Sequence, residues 1–93
     1  MSKKYTVHIA DDHQIIIDGI GAVVNLEDDL EVVGSSLNGK ETVKWFKENY
    51  ADVLLLDINM PICNGKEVLK QLKEIDDRPD VIVLTSYDDV KTI

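Results

Sequence analysis

Short apolar runs alternate along this chain with segments in which apolar residues recur every three or four positions. Three runs are almost continuously apolar, namely Tyr5–Ala10, Val53–Leu56 and Val81–Leu84. Such short runs are typical of strands buried on both faces of a parallel sheet. Leu30–Ser35 is less apolar and partly alternates, which predicts one further strand, second in chain order.

The segments between these runs predict helices. A first helix is expected from Gln14 to Leu26, although two glycines weaken it. Its apolar stripe, spaced at helical intervals, consists of Ile16, Ile20, Val23 and Val24. Ile17 falls off this stripe.

Turn and capping residues predict where the later helices begin. Asn38 and Glu41 have the spacing of a capping box at the start of a second helix. A third helix is expected from Asn64-Gly65 to a break before Pro79, and Asp88-Asp89 predicts the start of a fourth. The expected inner faces are Val43, Phe46 and Tyr50, with Trp45 beside them, in the second helix, and Val68, Leu69, Leu72 and Ile75 in the third.

Strict alternation of strands and helices predicts one α/β domain over residues 1–93. Successive strands joined by helices form a parallel sheet with right-handed crossovers and helices on both faces. The order of elements favours a flavodoxin-like, doubly wound sheet. We expect no internal repeat, linker or second domain.

Charge and cysteine content restrict the function further. Acidic residues outnumber basic ones 18 to 10, for a net charge of −8. This argues against nucleic-acid binding by the chain itself, because phosphate affinity requires a basic surface. The single cysteine, Cys63, excludes an internal disulfide. No apolar run is long enough for a membrane span or a signal peptide, so we expect a cytoplasmic location and no membrane partner.

Three carboxylates follow two of the predicted strands. Asp11 and Asp12 come directly after Tyr5–Ala10, and Asp57 follows Val53–Leu56. Ligands of open α/β sheets bind outside the carboxyl ends of the strands, so these acids should face one crevice. Three carboxylates repel each other unless a cation lies among them, and Mg²⁺ prefers oxygen ligands. The sequence therefore predicts a Mg²⁺ site suited to phosphoryl transfer.

Within this site, Asp57 is the candidate phosphoacceptor, because a carboxylate can form an aspartyl phosphate. Asp12 and Asp57 could bind Mg²⁺ directly and Asp11 through a water, with a backbone carbonyl near Asn59 completing the set. Thr85 ends the fourth strand, and its hydroxyl could donate to a phosphoryl oxygen. Each acid taken alone could instead be a helix cap or a turn residue.

The ordered motifs resemble a known family. The stretches I-A-D-D-H (9–13), L-L-L-D-I-N-M-P-I-C-N-G (54–65) and V-L-T-S-Y (83–87) are similar to the receiver domain of two-component response regulators. H-Q-I-I-I-D-G-I and L-T-S-Y-D-D resemble most the receivers of LuxR/FixJ-type transcriptional regulators.

This resemblance implies a CheY-like sheet of order 2-1-3-4 and a signalling role. It implies that a sensor histidine kinase phosphorylates Asp57, that Asp12, Asp57 and the Asn59 carbonyl hold Mg²⁺ with help from Asp11, and that Thr85 is the switch hydroxyl. In the family, the switch alters dimerisation or an attached DNA-binding output domain.

One departure from the family concerns the end of the chain. Family receivers continue into a fifth strand and helix, and the strand is followed by a lysine that pairs with the phosphoryl group. No lysine here has a matching position, since Lys91 falls in the predicted fourth helix. We expect the fourth strand to be an exposed apolar edge, and a homodimer to form through that strand or the fourth helix.

The remaining candidate residues receive more ordinary interpretations. His13 is not expected to be a Mg²⁺ ligand, and His8 should be structural. Cys63 is expected to be a loop thiol, with a redox role as the alternative. Ile17 is either a kinase-docking contact or a partly exposed apolar residue.

Three functions remain open at this point. The first is a phosphoacceptor switch that is not a turnover enzyme. The second is a phosphatase-like hydrolase with an Asp nucleophile and Mg²⁺, which would need a second acid and a substrate pocket. The third is a receiver fold that serves only as an interaction module.

Overall fold

A computed structural model describes residues 4–58, 60, 65–75 and 78–84. Over these residues, strands and helices alternate along the chain as predicted. The elements are β1 (Tyr5–Ala10), α1 (Gln14–Asn25), β2 (Leu30–Ser36), α2 (Gly39–Glu48), β3 (Val53–Asp57), α3 (Gly65–Leu72) and β4 (Asp80–Leu84). The predicted fourth helix lies outside the described residues.

The four strands form one parallel sheet in the order β2-β1-β3-β4. This confirms the predicted order, in which the chain first moves outward to β2 and then returns past β1 to β3. The reversal of direction occurs between β1 and β3, and an α/β sheet opens its ligand crevice at such a point. Ala10 of β1 is paired with Leu56 of β3, so the two strands end at the same level.

The sheet separates two apolar layers. On one face, Val7 and Ile9 of β1 pack with Ile17 of α1. On the other, Leu54 and Leu56 of β3 pack against α2 and α3. Val53 and Leu55 of β3 pack in the first layer, so alternate residues of this strand contribute to opposite layers, as the two-residue period of a strand requires. The larger layer consists of Ala10, Val43, Phe46, Ala51, Leu54, Leu56, Met60, Val68 and Leu72.

The predicted inner stripe of α1 is partly wrong. Ile17 is buried, whereas Ile16 is 41% and Val23 is 65% exposed. Ile20 and Val24 do pack against the core, together with Ile17. The true inner face therefore follows Ile17, Ile20 and Val24, because the helix is rotated by about one residue from the predicted orientation. Both interpretations of Ile17, as a docking contact and as a partly exposed apolar residue, are therefore wrong.

The capping prediction for α2 is confirmed, while part of its inner face is not. Asn38 Oδ1 accepts a hydrogen bond of 2.9 Å from the Glu41 amide, and the Glu41 carboxylate accepts one of 3.4 Å from the Leu37 amide. Val43 and Phe46 are buried. Tyr50 lies beyond the end of the helix and is 53% exposed, so its predicted place on the inner face is wrong.

In α3 and β4 the apolar positions behave largely as expected. Val68 and Leu72 are buried, and Leu69 packs beside them. Ile75 contributes to the same layer although α3 ends at Leu72. Among the described residues, β4 has a strand neighbour on one side only, and Ile82 and Val83 are exposed.

Candidate functional site

The acidic residues emerge where β1 and β3 end. Because Ala10 is paired with Leu56, Asp11 follows β1 at the position where Asp57 completes β3. Asp57 is in turn paired with Leu84, the last residue of β4. Apolar residues precede both acids and hold the strands in the sheet, so both carboxylates lie at the carboxyl edge of the sheet. The predicted convergence of these residues is confirmed.

The acidic cluster comprises Asp11, Asp12 and Asp57, and the imidazole of His13 lies with it. One ligand atom from each of these four residues lies within 4.8 Å of all the others. Asp11 and Asp57 are buried, with 5% and 7% exposure, and Asp12 is half-buried. Carboxylates this close together in partly desolvated positions are costly unless positive charge is placed among them.

His13 supplies part of that positive charge when its ring is protonated. Its Nδ1 lies 2.9 Å from Asp11 Oδ1 and 2.9 Å from Asp12 Oδ1. The hydrogen bond to Asp11, and then the charge of Asp12, raises the pKa of His13 above its usual 6.5. The ring remains open to solvent, so a cation can displace it. We did not expect His13 among the ligands; the structure nevertheless places its Nδ1 within the cluster.

The carboxylates are not helix caps. The N-cap of α1 is His13, and no side-chain cap hydrogen bond is made there. Asp11 Oδ1 instead accepts the His13 backbone N–H at 2.9 Å, before the helix begins. This short turn fixes the Asp11 carboxylate over the end of β1. The alternative interpretation of Asp11 and Asp12 as caps of the first helix is therefore wrong.

The donor set of the acidic cluster fits a hard divalent cation. Asp12 Oδ1 is shielded from solvent and makes no hydrogen bond within the described part of the chain. It lies close to His13 Nδ1, but the geometry of that contact does not suit a hydrogen bond. A buried carboxylate oxygen without a donor is costly, and coordination to a cation would satisfy it. Asp11, Asp12 and Asp57 would thus hold Mg²⁺ through oxygen atoms, which are the ligands that it prefers.

Ile58, the residue directly after Asp57, is held by a close backbone contact with the start of α3. The Gly65 amide donates to the Ile58 carbonyl at 3.0 Å. A Cβ at position 65 would lie 2.5 Å from Ile58 Cα, so only glycine permits this approach. The start of α3 therefore fixes the chain directly after Asp57. The other predicted site residues, Asn59 and Thr85, lie outside the described residues, as does Cys63.

Sequence reasoning missed a polar cluster beside the site. His8, Ser36 and Thr42 are buried and hydrogen-bonded to one another behind the ends of β1 and β2. The available signal was a histidine within an otherwise apolar strand. Its partners could not be found in the same way, because they come from β2 and α2.

The fold and the acidic site define a receiver domain. The family model for the response regulator receiver domain matches residues 7–93, so this chain belongs to that family. The predicted resemblance to receivers of LuxR/FixJ-type regulators is confirmed.

Similar proteins include transcriptional regulators and isolated receiver domains. The chain is 37% identical over 82 residues to the transcriptional regulatory protein DesR of Bacillus subtilis, covering 88% of this chain and 40% of that protein. It is 38% identical over 88 residues to DegU of Brevibacillus brevis, covering 92% and 36%. The chain thus spans well under half the length of these relatives.

Solved structures share the fold closely. The response regulator domain of Thermotoga maritima CheB has a TM-score of 0.83 at 30% identity, over 90% of this chain and 62% of that one. The receiver domain of the putative response regulator NarL from Mycobacterium tuberculosis has a TM-score of 0.84 at 27% identity, over 92% and 69%. In the described part of the chain, no helix has the length and apolar character needed to cross a membrane.

Proposed function

We propose that this domain is a phosphoacceptor switch, in which Asp57 receives a phosphoryl group from a sensor histidine kinase in a Mg²⁺-dependent step. The observation that carries the proposal is the convergence of Asp11, Asp12 and Asp57 within 4.8 Å at the carboxyl edge of the sheet. Membership of the receiver family supports the same role. The domain would act as a switch in signalling and not as an enzyme that turns over a free metabolite.

Phosphoryl transfer requires mainly that the protein position the reacting atoms and neutralise the charge on the phosphoryl oxygens. An oxygen of Asp57 forms a bond to phosphorus while the bond from phosphorus to the donor nitrogen breaks, and that nitrogen keeps the electron pair. Mg²⁺, when bound, neutralises charge on the phosphoryl oxygens. Asp11 and Asp12, together with Asp57, would hold the cation, and burial of Asp57 limits competing water. Asn59, through its carbonyl, and Thr85, through its hydroxyl, are proposed to complete this arrangement.

The response is proposed to pass to an attached DNA-binding domain in the cytoplasm. Relatives that share the receiver are named transcriptional regulatory proteins, and they are more than twice as long as this chain. The chain itself is acidic, with a net charge of −8, so DNA would be bound elsewhere. Phosphorylation would act by new charge-assisted hydrogen bonds that bias a two-state element.

Self-association through β4 remains a proposal of its own. Ile82 and Val83 are 54% and 41% exposed on a strand that lacks a second neighbour in the described sheet. Exposed apolar edges favour pairing with another copy. Sedimentation analysis should therefore show a dimer of this chain, and a strictly monomeric, stable chain would exclude edge pairing.

The central test is intact-mass spectrometry after incubation with acetyl phosphate and MgCl₂. One phosphoryl adduct is expected on the wild-type chain and none on Asp57→Asn. Asp80→Asn is the matched control, because it removes an exposed aspartate at the far end of β4. The adduct should disappear when EDTA replaces MgCl₂.

The same reaction separates the three functions. A stable adduct indicates a phosphoacceptor switch. Continuous release of phosphate, many times the amount of protein, indicates a hydrolase. A folded wild-type chain that neither gains an adduct nor releases phosphate would contradict the proposal and leave a receiver fold that serves interaction alone.

A further inference from the structure

A buried hydrogen-bond relay connects β1, β2 and α2 directly behind the acidic cluster. His8 Nε2 lies 2.9 Å from Ser36 Oγ, and Ser36 Oγ lies 2.6 Å from Thr42 Oγ1. Thr42 Oγ1 lies 2.9 Å from the carbonyl oxygen of Asn38, the N-cap of α2. The three side chains are almost fully buried, so the two hydrogen bonds between them are made away from water, while the bond to Asn38 is part-buried.

The donor and the acceptor of each hydrogen bond in the relay can be assigned in only one way. A carbonyl can only accept, so Thr42 donates its single hydroxyl hydrogen to Asn38. Thr42 can then only accept from Ser36, which uses its own hydrogen in doing so. Ser36 in turn must accept, and the donor is His8. The relay therefore places a hydrogen on Nε2 of His8. In the neutral ring Nδ1 is then the unprotonated nitrogen, and it has no hydrogen-bond partner among the described residues.

The relay is tied to the acidic cluster through the backbone of Ser36. The Ser36 carbonyl accepts the Asp11 amide hydrogen at 3.1 Å, at the point where β1 ends. Ser36 stands opposite Ala10 only because the pairing of β1 and β2 shifts by one residue between Val7 and His8. Irregularities of this kind commonly adjust side chains next to functional sites.

An aromatic contact holds this shifted pairing in place. The irregularity brings Gly34 opposite His8, and the ring of Trp45 lies against both residues. The ring centroids of His8 and Trp45 are 4.4 Å apart, and a Cβ at Gly34 would lie 2.8 Å from the Trp45 ring. The ring thus covers the relay on the side of α2.

We propose that Ser36 and Thr42 are positioning residues of the acidic cluster, because the relay fixes the end of β2 and thereby the backbone of Asp11. Neither residue belongs to the set of side chains that could hold the cation. Loss of the relay frees the Ser36 segment, and the Asp11 carboxylate then takes up its binding position less often. The inference rests on the proposed Mg²⁺ site and adds residues to it that the shared motifs do not include.

The first experiment compares Thr42→Val, which removes the hydroxyl at almost constant shape, with Thr42→Ser, which keeps it. MgCl₂ is titrated into each ¹⁵N-labelled protein, and the dissociation constant is taken from the amide shifts of Asp11 and Asp12. Outer-shell partners of a metal ligand typically contribute 10- to 100-fold in affinity, so a backbone-mediated effect of roughly three- to tenfold is expected for Thr42→Val. Thr42→Ser should bind like the wild type.

The outcomes separate this inference from the proposed function. If the wild type shows no Mg²⁺-dependent shifts in the cluster, the proposed metal site itself fails. If the wild type binds Mg²⁺ and folded Thr42→Val binds it equally well, the site stands and the positioning role is overturned. A purely structural role would lower the urea midpoint of Thr42→Val without changing its Mg²⁺ affinity.

The second experiment starts with the wild type, so its first result does not depend on a variant that folds. Imidazole ¹⁵N spectra of the wild type at neutral pH should identify His8 as the tautomer with hydrogen on Nε2. The opposite tautomer would show that the relay does not run as derived and would overturn the proposal. In Thr42→Val, the Ser36 hydroxyl loses its acceptor and can donate to His8, so a population with hydrogen on Nδ1 is expected there.

Discussion

Acidification should destabilise this domain through His8. The side chain is fully buried between β1 and α2, in contact with Trp45 and Phe46. Burial lowers the pKa of His8 from 6.5 to about 4, because an imidazolium would lose its hydration. The incoming proton would go to Nδ1, which has no hydrogen-bond partner among the described residues.

The magnitude follows from the difference in pKa between the two states. The unfolded chain takes up the proton near pH 6.5, whereas the folded chain resists it until about pH 4. The contribution to stability is therefore complete above pH 6.5 and is lost as the pH falls toward 4. The full difference corresponds to about 3 kcal/mol, and about 2 kcal/mol of it disappears between pH 7 and pH 5.

The assay is urea unfolding followed by Trp45 fluorescence and circular dichroism between pH 7 and pH 5, with EDTA present. Because carboxylates also begin to titrate in this range, the wild type is compared with His8→Gln, a neutral side chain that can still donate to Ser36. The wild type should lose about 2 kcal/mol more than His8→Gln on acidification. Parallel losses in the two proteins would refute the reasoning.

His13 provides a control, because its pKa is shifted in the opposite direction to that of His8. Its pKa is raised by Asp11 and Asp12, so its contribution to stability is present below pH 6.5 and is lost as the pH rises through the raised pKa. His13→Gln should therefore retain the acid sensitivity caused by His8. If His13→Gln abolished that sensitivity, the effect would belong to the acidic cluster and not to the buried histidine.

Three further substitutions test the packing that supports the site, each by urea unfolding. Ile17→Ala should lower the free energy of unfolding by about 2–4 kcal/mol and Ile15→Ala by less than about 0.5 kcal/mol, because Ile17 is buried and Ile15 is exposed. Equal losses for the two variants would contradict the observed orientation of α1. Gly34→Ala should cost about 1–3 kcal/mol, since the added methyl meets the Trp45 ring, and an unchanged midpoint would show that the ring moves freely. Asn38→Ala should cost about 1 kcal/mol through loss of the α2 cap, and no loss would mean that the cap is dispensable.

The sequence alone was sufficient for the sheet and for the acids at its edge. The order β2-β1-β3-β4 was implied by the resemblance to receiver domains and is confirmed. The parallel sheet itself was predictable from the residues, because continuous apolar runs are typical of buried strands and helices between them favour parallel pairing. Asp11 and Asp57 were predictable site residues for the same reason. An acidic residue that directly follows a buried parallel strand lies at the carboxyl edge of the sheet, because that is where the strand ends.

Local signals also succeeded where the interaction itself is local. The cap of α2 by Asn38 depends on residues three positions apart, and it was predicted correctly. The orientation of α1 was not, since Ile15, Ile16 and Ile17 are all apolar and the stripe has no polar boundary on that side. Only packing against Val7 and Ile9 decides that Ile17 faces inward.

The tertiary structure alone decided the interactions that join distant parts of the chain. His13 entered the acidic cluster because a turn after β1 directs its ring back toward Asp11, and sequence does not determine such a rotamer. The relay unites His8, Ser36 and Thr42 from three different elements. A hydrogen bond forms only between atoms about 3 Å apart, and that proximity depends on strand register and helix placement, which no single segment of the chain specifies.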